Sequence, residues 1–206
     1  MAQEGPSLST NRPNSEPASA SDVHARLREA TRAQHEALER RSNVVDRIAA
    51  PGARRALVEG FHRLHAGLEP GLAHWLEPVD GLDFAARRRA PRLVEDLKAL
   101  GGEPASDLAA PAPASRAEAL GWLYVLEGST LGGRVIRKQV TAGGGDMAGL
   151  GFLDPYGAEQ GDRWRGFLAV MAREARTDDE VEAMVAGAQA AFRYAEACLA
   201  EDGGDV

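Results

Sequence analysis

The sequence predicts an all-α fold, a single-domain multi-helix bundle. Three observations predict it. Apolar residues recur at three- and four-residue spacings along most of the chain, while alternating patterns are scarce and β-branched residues are scattered. Two capping boxes and a glycine pair stand where helices should begin and end. The 206 residues are 44% hydrophobic, enough for one sizeable core without a disulfide or metal staple.

Residues 1–20 are rich in Ser, Pro, Asn and Ala and lack an apolar period, so a disordered N-terminal tail is expected there and a helical domain over 21–206. The first helix starts near Ser21 and Asp22, either of which can cap free amides, and runs to about Arg41. The second follows Pro51 and carries Leu57, Phe61, Leu64 and Leu68 on one side. Pro70 should end or kink it, with Leu72 to Leu76 continuing. A shorter helix covers Pro91 to Leu100, with Leu93, Leu97 and Leu100 in register and Gly101 and Gly102 as its C-cap. Ala109 to Ala114 reads as a linker. Ser115 and Glu118 then open a long helix to about Val140. A glycine-rich loop covers Gly143 to Gly151, and a helix spans about Gln160 to Arg176. Thr177 and Glu180 cap the last helix, which ends near Ala200. No fixed-period repeat is present, which argues against a solenoid.

Composition excludes several classes. A net charge of -7 argues against a nucleic-acid surface, which draws on Lys and Arg. The single cysteine, Cys198, forms no internal disulfide and fits a reducing compartment. No stretch approaches the ~20 apolar residues of a bilayer helix, and no signal-peptide pattern opens the chain. The expectation is a cytoplasmic protein with no membrane and no nucleic-acid partner.

Two segments carry chemistry. In Leu27–Glu39, the residues Leu27, Thr31, His35 and Leu38 share one helix face, which should point inward. Glu39, one turn beyond His35, can accept an imidazole N–H and orient a metal-bound ring. The same pattern also suits a packed, hydrogen-bonded core histidine. In Gly121–Gly133, glycines 128, 132 and 133 fall within six residues of one long helix, each costing ~1 kcal/mol relative to alanine. Gly128 and Gly132 lie one turn apart on one side, with Gly121 two turns before. Such a stripe suits either tight helix packing or a flat ligand lying on the backbone.

Leu27-Arg28-Glu29-Ala30-Thr31 ahead of His35 resembles the proximal helix of heme oxygenases. Tyr124-Val125-Leu126-Glu127-Gly128-Ser129-Thr130-Leu131-Gly132-Gly133 is similar to the distal helix of the bacterial, phytochrome-associated, biliverdin-producing branch. Asp154-Pro155-Tyr156-Gly157 with Trp164, and Ala191-Phe192, are similar as well, so the resemblance covers about residues 22 to 200. It implies a heme oxygenase-like bundle in which His35 is the proximal iron ligand and Glu39 its partner. It implies that Gly128, Ser129, Gly132 and Gly133 pack over the distal face, and that Tyr124 lines the heme site. Arg28 and Arg165 match positions near the heme propionates, where a planar guanidinium suits a carboxylate. Mammalian members carry an aspartate where Ser129 stands here, so the distal water network must be held differently.

The activity so implied is oxidative cleavage of heme to biliverdin with release of carbon monoxide and iron. Heme b is both substrate and cofactor, alongside O2 and electrons from an external reductase or ferredoxin-type donor. The implied partners are heme, an electron-donor protein and a biliverdin-accepting phytochrome. The rivals are a non-degrading heme carrier or sensor, a thiaminase-like helical hydrolase and an interaction bundle with no ligand. Against the hydrolase, Cys198 has no evident histidine partner in sequence. Three other features read as structural. His62 and His65, at i,i+3, could hold a metal with Glu59 or Glu69, but His65 falls on the Leu57/Phe61 side and His62 is rotated away. His24 should be solvated. Arg87-Arg88-Arg89 should be a solvated surface run, with docking of an acidic electron-transfer protein the lesser reading.

Overall fold

The computed structural model describes residues 19–106 and 110–200, which contain seven α-helices, three short 3-10 turns and no strand. The helices are α1 (Ala20–Ser42), α2 (Val44–Ala49), α3 (Pro51–Leu76), α4 (Ala90–Ala99), α5 (Arg116–Ala142), α6 (Gln160–Glu174) and α7 (Asp178–Leu199). Residues 1–18 of the expected tail lie outside the described residues, as do 107–109, which include the first residue of the expected linker, and 201–206.

Several helix ends arise from local chemistry. Ser19 caps α1: its hydroxyl accepts from the Asp22 amide, and the Asp22 carboxylate accepts from the Ser19 amide. The helix therefore starts just before Ser21, and Ser19 and Ala20 belong to it rather than to the tail. The Ser115 hydroxyl accepts from the Glu118 amide, but the Glu118 carboxylate reaches the Ala114 amide instead of closing the box on Ser115. Thr177 and Glu180 form the complete box. Gly101, at φ +67°, ends α4 by donating to Lys98, while Gly102 donates to Leu97, a Schellman closure. Pro70 sits inside α3 without ending it. The short α2 was not expected; it is set off from α1 by Asn43 in left-handed backbone at φ 43°.

Helix α7 packs against α1, α5 and α3. Along α1 it pairs Asp178 with Arg26, Gln189 with the Ala30 carbonyl and Glu196 with Arg41, so the two helices run in the same direction. At the α5–α7 crossing, Gly121 and Gly187 face each other's helix backbone. A Cβ on Gly121 would fall far inside contact distance of the Met184 carbonyl. In the core, Leu27 of α1, Leu57 and Leu68 of α3, Leu120 and Trp122 of α5 and Phe167 of α6 are fully buried. Each contributes about 1.5–3 kcal/mol relative to exposure. Among the described residues, no helix is long and apolar enough to cross a membrane.

Candidate functional site

The α1 face divides. Leu27 and Thr31 are buried, and the Thr31 hydroxyl donates to the Leu27 carbonyl at 2.7 Å. His35 is not buried: its side chain is 59% exposed, with Nδ1 3.7 Å from Glu39 Oε2. The expectation that this residue points inward therefore fails. Two four-residue steps at 3.6 residues per turn rotate His35 about 80° from Leu27, onto the rim of the face. There its ring meets Phe192 of α7 edge-on, centroids 5.9 Å apart.

The glycines of α5 also divide. Gly121 and Gly133 are buried, and a Cβ on either would collide with backbone, that of Met184 and of Leu153 respectively. Gly133 thus seats the 3-10 turn Gly151–Leu153 and does not share the open stripe, contrary to its expected place over the distal face. At Gly128 and Gly132 no atom lies within 4 Å of an added Cβ. Leu131 and Val135, 38% and 56% exposed, fall on the same side as these two glycines. Ser129 is exposed, and its hydroxyl donates to the Leu126 carbonyl at 2.7 Å.

One turn before Gly128, the half-buried Tyr124 joins α1 and α6. Its ring lies 6.0 Å from His24 and 5.7 Å from Trp164. His24 is therefore packed in an aromatic cluster and not solvated as expected. Burial, then the Arg28 charge, lowers its pKa. Burial raises the pKa of Tyr124 against the opposing charge of Arg28. Arg28 is exposed beside this cluster. Arg165, next after Trp164 on α6, is also exposed and pairs with Asp162. The structure thus brings Arg28 to Tyr124 and places both arginines on accessible surface.

Behind the open stretch of α5 lies a buried ionic cluster. Arg87 and Arg89 are 5% and 4% exposed, so the surface and docking readings fail for these two, while Arg88 between them is exposed. Arg87 donates to Glu127 at 2.6 Å, Arg89 at 3.5 Å, and the Tyr156 hydroxyl at 2.7 Å. Arg88 pairs with Glu69, which also accepts the amides of Arg89 and Ala90. His65 Nδ1 stands 3.3 Å from Glu69, and His62 is as buried as His65. Among the described residues, no group of three His, Cys, Asp or Glu side chains could hold a metal ion. Glu127 was the available signal: an acid directly after the apolar run Trp122–Leu126 needs a buried cation. Burial pushes the Cys198 thiol above its ordinary value, against the pull of Tyr194 and Arg63, which suits a nucleophile poorly.

The heme oxygenase family model matches residues 21–201. A heme oxygenase from Xanthomonas campestris pv. campestris is 41% identical over 143 residues, 68% of this chain and 85% of that protein. The NO- and CO-bound heme oxygenase of Neisseria meningitidis superposes with a TM-score of 0.72 at 23% identity, covering 88% of this chain and 97% of that one. The heme oxygenase of Leptospira interrogans gives 0.68 at 18% identity, covering 86% and 98%. The two solved structures share the all-α fold, and the family match spans both the His35 helix and the glycine-bearing helix. The chain belongs to the heme oxygenase family, whose function is the oxidative degradation of heme.

Proposed function

We propose that this chain opens heme to biliverdin with the macrocycle lying on the Gly128–Gly132 stretch of α5 and His35 as the iron ligand. The observation that carries the reading is the open space at those two glycines. Helix-interior glycine costs ~1 kcal/mol against alanine, and no neighbouring side chain or backbone calls for it at Gly128 or Gly132. A flat ligand approaching the backbone does. The exposed Leu131 and Val135 extend that surface with apolar contacts, and the exposed imidazole of His35 is free to bind iron through one ring nitrogen.

Each remaining residue has a task in this reading. Glu39 Oε2 stands 3.7 Å from Nδ1 of His35 and orients the ring through a bridging water that accepts the Nδ1 proton, which leaves Nε2 for the metal. Arg28 and Arg165 bind the two propionates, with Tyr124 packed between α1 and α6 at that edge. Ser129 spends its proton on the Leu126 carbonyl, so its oxygen is left to accept from water at the distal face. When bound, heme supplies the iron that activates oxygen and the meso carbon that is attacked. The protein contributes orientation, close packing and ordered water. Electrons come from an external reductase or ferredoxin-type protein in the cytoplasm, and a phytochrome is the acceptor proposed for the biliverdin.

Titration with hemin tests this. The wild type should develop a Soret band at one equivalent, then lose it with reductant and oxygen as biliverdin appears. His35→Ala should lose turnover, and added imidazole should partly restore the ferric spectrum. A stable Soret band under turnover conditions would make the protein a carrier. An unchanged spectrum and activity in His35→Ala would remove the ligand assignment.

A further inference from the structure

We infer that Glu127 is a positioning residue for ring opening: its buried hydrogen bonds to Arg87 and Tyr156 fix the angle at which the Gly128–Gly132 stretch lies over the macrocycle. This rests on the proposed heme-opening function. Glu127 immediately precedes Gly128, and its carboxylate is 2% exposed. Donors from two separate segments converge on it: Arg87 at 2.6 Å with Arg89 at 3.5 Å, and Tyr156 at 2.7 Å. The donors are themselves held. Arg87 also donates to the Leu82 carbonyl at 2.7 Å and the Arg163 carbonyl at 3.3 Å, and lies over the Phe167 ring. Arg89 stacks on Tyr156, 4.2 Å from its centroid.

Beyond Glu127, the side of α5 that carries Gly128 and Gly132 is open. Glycines stand at 128, 132 and 133, and the hydroxyls of Ser129 and Thr130 donate to the carbonyls of Leu126 and Glu127 at 2.7 and 2.6 Å. Hydroxyls bonded back onto helix carbonyls loosen and bend the turn they occupy. Glu127 is thus a rigid point just ahead of the open side of α5; beyond it the buried Thr130 accepts from Gln160 at 2.7 Å and Gly133 packs against Leu153, while Gly128 and Gly132 stay uncovered. Buried ion pairs contribute little net stability compared with apolar side chains of equal volume, but their geometry is directional. A carboxylate held from two sides resists rotation of α5 about its axis. Rotation there would turn Gly128 and Gly132 off the macrocycle and change which edge of the ring meets the reacting oxygen.

The test is Glu127→Gln, assayed for hemin affinity, turnover per bound heme and the isomers of biliverdin formed. Hemin affinity should stay within about threefold of wild type while kcat falls about tenfold or more, the signature of an interaction that serves the reaction step. The isomer mixture should broaden. Tyr156→Phe, which removes one hydrogen bond and no charge, should shift the same quantities in the same direction by less. It serves as the readout if Glu127→Gln fails to fold. A purely structural role would lower the melting temperature and the active fraction while leaving kcat per bound heme and the isomer mixture at wild-type values; that result overturns the proposal. A wild type that forms no biliverdin removes the functional reading instead, whereas active wild type with unchanged variants removes only this inference.

Discussion

The two halves of α5 are written in the same residues and used differently. In the first half, Gly121 lets the helix backbone touch that of α7, and a methyl group there would strike the Met184 carbonyl. In the second, Gly128 and Gly132 touch nothing within 4 Å of where a methyl group would stand. Gly133, one residue on, is sealed again by Leu153. A missing side chain is therefore no function in itself. Its meaning lies in what approaches the bare backbone: another helix at Gly121, a loop at Gly133, and substrate, in our reading, at Gly128 and Gly132.

The largest effect expected from this contrast is at the sealed end. Gly121→Ala forces α5 and α7 apart at their crossing and should destabilise the apo protein by about 3 kcal/mol, read by chemical denaturation. Near-wild-type stability would show that the crossing has slack. A smaller effect concerns the support beneath α5. Glu69 holds the segment that carries Arg87 and Arg89 to Glu127. Burial alone would raise its pKa, but His65 and the amides of Arg89 and Ala90 outweigh burial and leave it below the usual value of 4.5. The native state then binds fewer protons than the unfolded chain just below that value. Its contribution is complete above the unfolded pKa and is lost as pH falls through the folded one. The stability gap between wild type and Glu69→Gln should accordingly be widest near pH 7 and shrink toward pH 3. A gap that grows with acid would reverse the assignment. The smallest effect is expected from deleting residues 1–18, because Ser19 retains the cap of α1. Hemin affinity and melting temperature should stay near wild type, and a large drop in either would show that these residues contribute to the domain.

The sequence revealed what is local. Ser115, Thr177–Glu180 and Gly101–Gly102 mark helix ends because a cap involves only neighbouring residues. The resemblance brought His35 and the α5 glycines together because both lie in contiguous motifs. Features made by distant partners were hidden. Arg87-Arg88-Arg89 reads as surface until Glu127, some forty residues later, and Glu69 are seen to meet it. Gly121, Gly128, Gly132 and Gly133 look alike until α7 and the Gly151–Leu153 turn are placed against two of them. His24 looks solvated at a helix start until Tyr124 and Trp164 close on it.

The most direct test of the open half is Gly132→Leu, with the apo protein melted and the hemin-loaded protein assayed side by side. A helix interior favours leucine over glycine by a few tenths to ~1 kcal/mol, and no neighbour lies within 4 Å of where the new Cβ would stand. The apo variant should melt at or above the wild-type temperature, with biliverdin formation sharply reduced because the side chain occupies the surface meant for the macrocycle. An apo protein that melts far below wild type would show that another part of the chain packs there, and would contradict the assignment.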